Sequence, residues 1–161
     1  MSHTFPVRTH PKTPLELAKI IKNSKCVLIK FGASWCGPCQ NREFLNNLGL
    51  IEKEFARYHK DIKIIILDVD DDAEVVNSTE YYDFKISSIP QFKFCFDGSI
   101  IKEYNGIHCL NEILENLTKV ASIIDMENSD NTLGNTTNTP NTPNTPNTNT
   151  VKTSKTGNTS K

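Results

Sequence analysis

Hydrophobic residues in this chain fall into blocks of two kinds, short continuous runs and longer periodic stretches, and the two alternate. The run Cys26-Val27-Leu28-Ile29 is rich in branched residues and predicts a strand buried on both faces, from Cys26 to about Phe31. Before it, Leu15, Ala18 and Ile20-Ile21 supply an apolar helical face to about Asn23. Thr13 reads as its N-cap, Pro14 as its first residue and Glu16 as the closing member of a capping box. After the strand, Phe44, Leu45, Leu48, Leu50 and Ile51 carry a helix towards Tyr58. Gly49 lies inside that helix as a candidate break, at a cost of about 1 kcal/mol relative to alanine.

Ile62-Lys63-Ile64-Ile65-Ile66-Leu67 is the strongest strand signal. The acidic cluster from Asp68 to Asp72 suits the start of a helix running from Ala73 to about Phe84. Its carboxylates read as caps and solubilising charges, because a calcium loop would need a glycine and a distal glutamate that are missing. A strand from Gln91 to Phe96, a hairpin turn at Asp97-Gly98 and a returning strand from Ile100 to Tyr104 follow. A helix from about Leu110 to Ile124 ends the pattern. Strands alternating with helices, closed by a hairpin and a helix, predict an α/β domain with a mixed central sheet flanked by helices.

Composition sets the boundaries of that domain. Residues 1–12 form a flexible lead-in broken by Pro6 and Pro11, and residues 13–126 form the domain. Residues 127–161 form a tail with almost nothing apolar to bury. Its tandem Asn138-Thr139-Pro140, Asn141-Thr142-Pro143 and Asn144-Thr145-Pro146 predict disorder. The chain has 161 residues, and those outside the tail suffice for one domain rather than two. A net charge of −1 gives no basic field for nucleic acid. No stretch approaches the roughly 20 apolar residues of a membrane span, and no apolar segment near the N-terminus marks a secretory signal. Five scattered cysteines do not describe a disulfide-stapled secreted domain, so a reducing compartment such as the cytoplasm is expected.

Candidate chemistry concentrates in Lys30-Phe31-Gly32-Ala33-Ser34-Trp35-Cys36-Gly37-Pro38-Cys39-Gln40. At a helix start, residues three apart share a face at roughly 5–6 Å, a separation that a disulfide spans. Unpaired N–H groups and the helix dipole at that place favour the Cys36 thiolate. Cys39, one turn in, is shielded; Cys36 attacks and Cys39 resolves. A structural zinc site needs four ligands, usually from two such pairs, and the second pair is missing, so no metal is assigned. No bound cofactor is required.

Trp35-Cys36-Gly37-Pro38-Cys39 resembles the active site of the thioredoxin family, and the order of elements resembles the thioredoxin fold from about Thr13 to Ile124. Between Pro90 and Gly106 the spacing fits that family without gaps. The stretches from Cys39 to Asp70 and from Asp70 to Pro90 each look about five residues longer, as insertions at surface loops. The resemblance implies a protein-disulfide reductase, with protein disulfides as substrates and an electron-donating reductase as partner. It implies a cis proline at Pro90 beside the cysteine pair, with the Ile89 backbone receiving an extended substrate. Trp35, Gly37, Pro38, Val69, Ile89, Pro90, Gly106 and Ile107 match positions that form an apolar substrate-binding patch around an exposed sulfur.

Two positions depart from the family pattern. Lys30 stands where the family usually carries a buried aspartate that accepts the resolving thiol's proton, and its usual lysine partner aligns with about Ile66. One reading makes Lys30 a modulator of proton transfer at Cys39; the other lets its ammonium reach outward with no chemical role. Gly32 replaces a frequent aromatic, thins the packing and implies no new chemistry. Cys26 and Cys95 read as core, and Cys109 as a thiol near the site's rim.

The alternatives to a reductase are a binding module with little turnover and an oxidase or isomerase. A monomer is expected, with neither nucleic acid nor membrane as partner. Asparagine and isoleucine richness points to an AT-rich genome such as that of a parasite or a large DNA virus. The virion is the alternative location in the viral case.

Overall fold

The computed structural model describes residues 9–137. The apolar run forms β1, Cys26–Gly32, every residue of which is buried. It occupies the middle of a four-stranded sheet because both neighbours also bury apolar side chains. On one side lies β2, Ile62–Asp68, parallel to β1; on the other lies β3, Gln91–Phe96, antiparallel to it. The edge strand β4, Ser99–Asn105, completes the order β2-β1-β3-β4. Asp97 and Gly98 take φ of 49° and 83°, the left-handed pair that a two-residue type I′ hairpin needs.

The first helix, α1, spans Pro14–Asn23, and Thr13 accepts the Glu16 N–H through its side chain at 3.1 Å. Glu16 reaches back one residue further than a capping box requires, accepting the Lys12 N–H at 2.6 Å. Leu17, Ala18 and Ile21 are buried, while Leu15 faces solvent. Leu17 and Ile21 pack in one core cluster with Val27, Ile29, Phe31, Ile65 and Leu67 of the sheet. Of the expected lead-in, residues 9–12 are described: Pro11 is buried, and His10 Nε2 lies 2.7 Å from Asp72 Oδ1.

Three helical expectations need correction. The helix after Cys36 is interrupted at Asn41, not at Gly49. A 3-10 turn, Pro38–Gln40, ends there and α2, Arg42–Tyr58, begins anew. Asn41 leaves helical geometry with ψ of 123°, and its side chain caps the Phe44 N–H at 2.9 Å. The helix expected to Phe84 is only one turn, α3, Ala73–Val76. Beyond it Tyr82 and Phe84 both turn inward at a spacing of two, which a helix cannot do. The Phe84 ring lies 5.1 Å from that of Phe31, and Tyr82 Oη donates to the Gly98 carbonyl at 3.0 Å. The third is α4, Leu110–Thr137, which continues past the expected end near Ile124 and through the first residues of the expected tail. Ile123 opens a second unit of the chain, in which the helix continues. The repeat from Asn138 onward lies outside the described residues.

Candidate active site

Because β1 and β2 run parallel while β3 runs against them, β1 and β2 end, β3 begins and β4 ends at the same edge of the sheet. Four connections therefore converge: the segment after Gly32, the acidic loop after β2, the Ile89-Pro90 pair before β3, and Gly106 after β4. This convergence gathers residues that lie far apart in sequence.

Cys36 and Cys39 form a disulfide with Cα atoms 5.2 Å apart. The Cys39 N–H points at Cys36 Sγ at 3.2 Å, a donor that would favour a thiolate there. That local N–H does the work expected of a helix dipole. The turn that begins after Gly37 is only three residues long and holds Cys39 but not Cys36, and α2 caps its own Phe44 N–H with Asn41. Pro38 sits at the first position of this turn, where its missing N–H leaves no orphan donor. Gln40 Nε2 donates to the Ala33 carbonyl at 3.1 Å and ties the turn to the strand end.

The two sulfurs have different surroundings. Cys36 packs with Ala33, Cys39, Val69 and Ile89, and its Sγ lies 3.8 Å from the Ile89 carbonyl oxygen. In this disulfide form it is 5 % exposed, so the expected exposed sulfur is instead a nearly covered one, ringed by exposed Trp35, Gly37 and Pro38. Cys39 is 1 % exposed and faces inward. The Ile89-Pro90 bond is cis, and the Pro90 carbonyl accepts the Gly106 N–H at 2.8 Å. Gly106 takes a φ of 81°, open to glycine at no cost, so this contact explains why a glycine stands there. Ile107 lines a neighbouring groove of about 310 Å³ with Phe44, Asn41 and His108.

The acidic loop has a role that charge patterning missed. Trp35 is 68 % exposed, yet its indole N–H donates to Asp70 Oδ2 at 2.6 Å. Asp68 accepts the N–H groups of Asp70, Asp71 and Ser34 at 2.8, 3.1 and 3.2 Å, joining the loop to the segment before Trp35. The Asp71 and Asp70 N–H groups hold its carboxyl below the usual carboxylate range, with Ser34 adding to them. Asp72 precedes α3 but does not cap it; its Oδ2 accepts the Asp68 N–H at 2.8 Å instead. The readable signal was an Asp-x-Asp-Asp-Asp run directly after a strand, where Asx turns are favoured.

Behind the disulfide, Lys30 is 5 % exposed. Its neighbour on β2 is Ile66, as the alignment requires, and its Nζ lies 5.2 Å from the centre of the Phe44 ring. Burial pushes the Cys26 and Cys95 thiols up to about 12, so both are inert core groups. Burial also raises the half-buried Cys109 thiol, whose Sγ donates to the Gly106 carbonyl at 3.4 Å. Among the described residues no cluster of three or more His, Cys, Asp or Glu is arranged to hold a metal ion, and no helix is long and apolar enough to cross a membrane.

A cysteine pair at the end of a central parallel strand, one sulfur at the rim and one behind it, with a cis proline facing them, defines a thiol–disulfide oxidoreductase. The family profile described as thioredoxin matches residues 9–119. A thioredoxin of Mycoplasmoides gallisepticum is 35 % identical over 108 residues, covering 67 % of this chain and 97 % of that protein. One of the sponge Geodia cydonium is 32 % identical over 95 residues, covering 58 % and 79 %. The crystal structure of thioredoxin from Trypanosoma brucei brucei superposes with a TM-score of 0.59 at 19 % identity, covering 76 % of this chain and 97 % of that one. This chain belongs to the thioredoxin family.

Proposed function

We propose that the chain works in the reducing direction, opening disulfides of other proteins and receiving electrons from a reductase. The observation that carries this reading is the asymmetry of the pair: Cys36 lies beside the Ile89 carbonyl, next to the exposed Trp35, Gly37 and Pro38, whereas Cys39 faces inward behind it. In the dithiol form the Cys36 thiolate attacks one sulfur of a substrate disulfide, forming a mixed disulfide and releasing the other sulfur as a thiolate. Cys39 then loses its proton and attacks Cys36 Sγ. The Cys36–Cys39 disulfide forms, the mixed disulfide breaks, and the second substrate sulfur leaves as a thiolate that takes up a proton. An electron-donating reductase restores the dithiol.

Trp35, Gly37 and Pro38 offer the exposed side of the contact surface, and the half-buried Val69 and Ile89, with buried Pro90, its inner side. Gly106 fixes the Pro90 loop, and Ile107 extends the surface towards the neighbouring groove. An extended substrate segment would lie along the Ile89 backbone. We place the activity in a reducing compartment and assign it to a single chain that needs neither nucleic acid nor membrane.

Reduction of insulin by the full chain with dithiothreitol tests the reading. Turnover with a trapped mixed disulfide in Cys39→Ser is expected; binding of proteins without turnover would replace an enzyme by a docking module. A redox titration of Cys36–Cys39 separates the reducing direction from the oxidising one, because an easily reduced disulfide would favour an oxidase or isomerase.

A further inference from the structure

Lys30 is one of the few charged side chains buried in this fold, and it lies on the same face of β1 as the residue two places on, Gly32. A methyl group at Gly32 would touch two things: Cys39 Sγ at 3.4 Å and Lys30 Cε at 3.6 Å. The resolving sulfur and the last carbon of the lysine therefore both lie within about one van der Waals contact of the same point beside Gly32. Phe44 lies beyond the ammonium, its ring centre 5.2 Å from Nζ, and that ring also lines the groove open to solvent.

Other ionisable groups on this side of the sheet are engaged or sit at its margin. Asp68 pairs in register with Gly32, but its carboxylate already accepts three backbone N–H groups. Tyr104 shares the Lys30 row through Phe92, and its hydroxyl accepts from Asn116. From β4, Lys102 pairs with Glu112 of α4. Cys26 on β1 stays protonated, Cys109 donates to a carbonyl, and Glu43 and His108 line the groove.

We propose that the Lys30 ammonium assists the resolving step by stabilising the Cys39 thiolate, with Gly32 as the position across which the charge acts. The inference rests on the thiol-exchange reading above and adds the means by which Cys39 becomes reactive. In the mixed disulfide, the Cys39 proton passes to solvent and the nearby positive charge favours the anion left behind. The thiolate pair of electrons then forms the Cys36–Cys39 bond as the bond from Cys36 to the substrate sulfur breaks. Lys30 is a positioning residue: it neither bonds to substrate nor carries away the proton.

The test is a stopped-flow reaction of the reduced full chain with dithionitrobenzoate, in a Cys109→Ala background so that no other partly exposed thiol reports. Attack by Cys36 releases the first thionitrobenzoate and resolution by Cys39 releases the second. Lys30→Met and Lys30→Gln, each confirmed folded by near-ultraviolet circular dichroism, are compared with the parent across pH. The expected result is an unchanged first phase and a second phase whose pH midpoint rises by about one unit, a tenfold loss of thiol acidity. Two neutral replacements of different polarity keep the result independent of packing. An unchanged second-phase midpoint, or equal slowing of both phases, overturns the proposal. Because the reagent is not a protein, this result stands apart from insulin turnover: failure to reduce insulin would remove the proposed function while the phase profile still decides the role of Lys30.

Discussion

The two sides of the disulfide are built by different means. In front of Cys36, polar side chains fix loops: Asp68 gathers three N–H groups, Asp70 holds the Trp35 indole, and the Gly106 N–H meets the Pro90 carbonyl. Behind Cys39, strand β1 and the aromatic side chains Phe44 and Phe92 form a packed wall, with their rings 6.0 Å apart edge to face and one lysine sealed against it. The front is an arrangement of exposed hydrogen bonds, each of modest worth; the back is a buried site where one charge has large consequences. Recognition and resolution can therefore be altered separately, and substitutions on the two sides should leave different signatures.

The largest effect should come from the sulfur that joins the two sides. Cys36→Ser is expected to lower insulin reduction by at least about a thousandfold, since a hydroxyl at neutral pH is a far weaker nucleophile than a thiolate. Loss of stability should be small, because the fold otherwise remains intact. Residual turnover within tenfold of the parent would mean that another thiol carries the reaction.

Behind the disulfide, Lys30→Met should change the stability of the oxidised protein, read from urea unfolding, by an amount that separates a charge kept for function from one that the fold needs. An apolar side chain of similar length removes the cost of keeping an ammonium out of water. Gain of stability together with a slower resolving step would mark Lys30 as a charge retained for function. A loss of several kcal/mol would show instead that the buried lysine is held by interactions that the fold needs.

In front, Gly106→Ala places a Cβ on a residue at φ of 81° and should cost about 1 kcal/mol in strain. The strain falls on the Gly106 N–H contact with Pro90, so KM for a protein substrate should rise more than kcat falls. A change of kcat alone would assign the loop to the chemistry rather than to binding.

The contrast between front and back also explains what could be read from the chain. The strands were legible because each is a short apolar run, and β3 ends as expected at Phe96. The cysteine pair was legible because strand, turn and helix followed in the order that this chemistry uses, whereas Pro90 was legible only through the resemblance to the thioredoxin family. The front loop was misread for a physical reason: Asp68 to Asp72 have the composition of a helix start, but their carboxylates take N–H groups of their own loop and of Ser34, and α3 is left with one turn. Tyr82 and Phe84 then follow the core rather than a helical period. At the back, the burial of Lys30 follows from alternation along β1, which puts it on the face of Leu28 and Gly32. What the alternation could not supply was the distance from that face to Cys39, because Asn41, not Gly49, decides where the turn ends.

The smaller front-side effects concern carboxylates. Asp70→Asn removes a charged acceptor from the Trp35 indole, a hydrogen bond worth about 0.5–1.5 kcal/mol net, so KM should rise roughly twofold to tenfold with kcat nearly unchanged. The smallest effect should be that of acid on Asp68. Its carboxyl is held below the ordinary carboxylate value by the Asp71 and Asp70 N–H groups, so the folded state binds this proton less readily than the unfolded chain. The stability it contributes is therefore complete above the unfolded value and is lost as pH falls through the depressed one. Because the site is open to solvent, the contribution is small. It should appear as a shallower fall of the melting temperature below about pH 4 in Asp68→Asn than in the parent, starting from a lower value at neutral pH. The same variant frees the Ser34 N–H in front of Cys36 without touching Lys30. Its resolving phase should keep the parent's pH midpoint. A shifted midpoint would join the two sides of the disulfide into one electrostatic unit, with Asp68 as the counter-charge of the buried lysine.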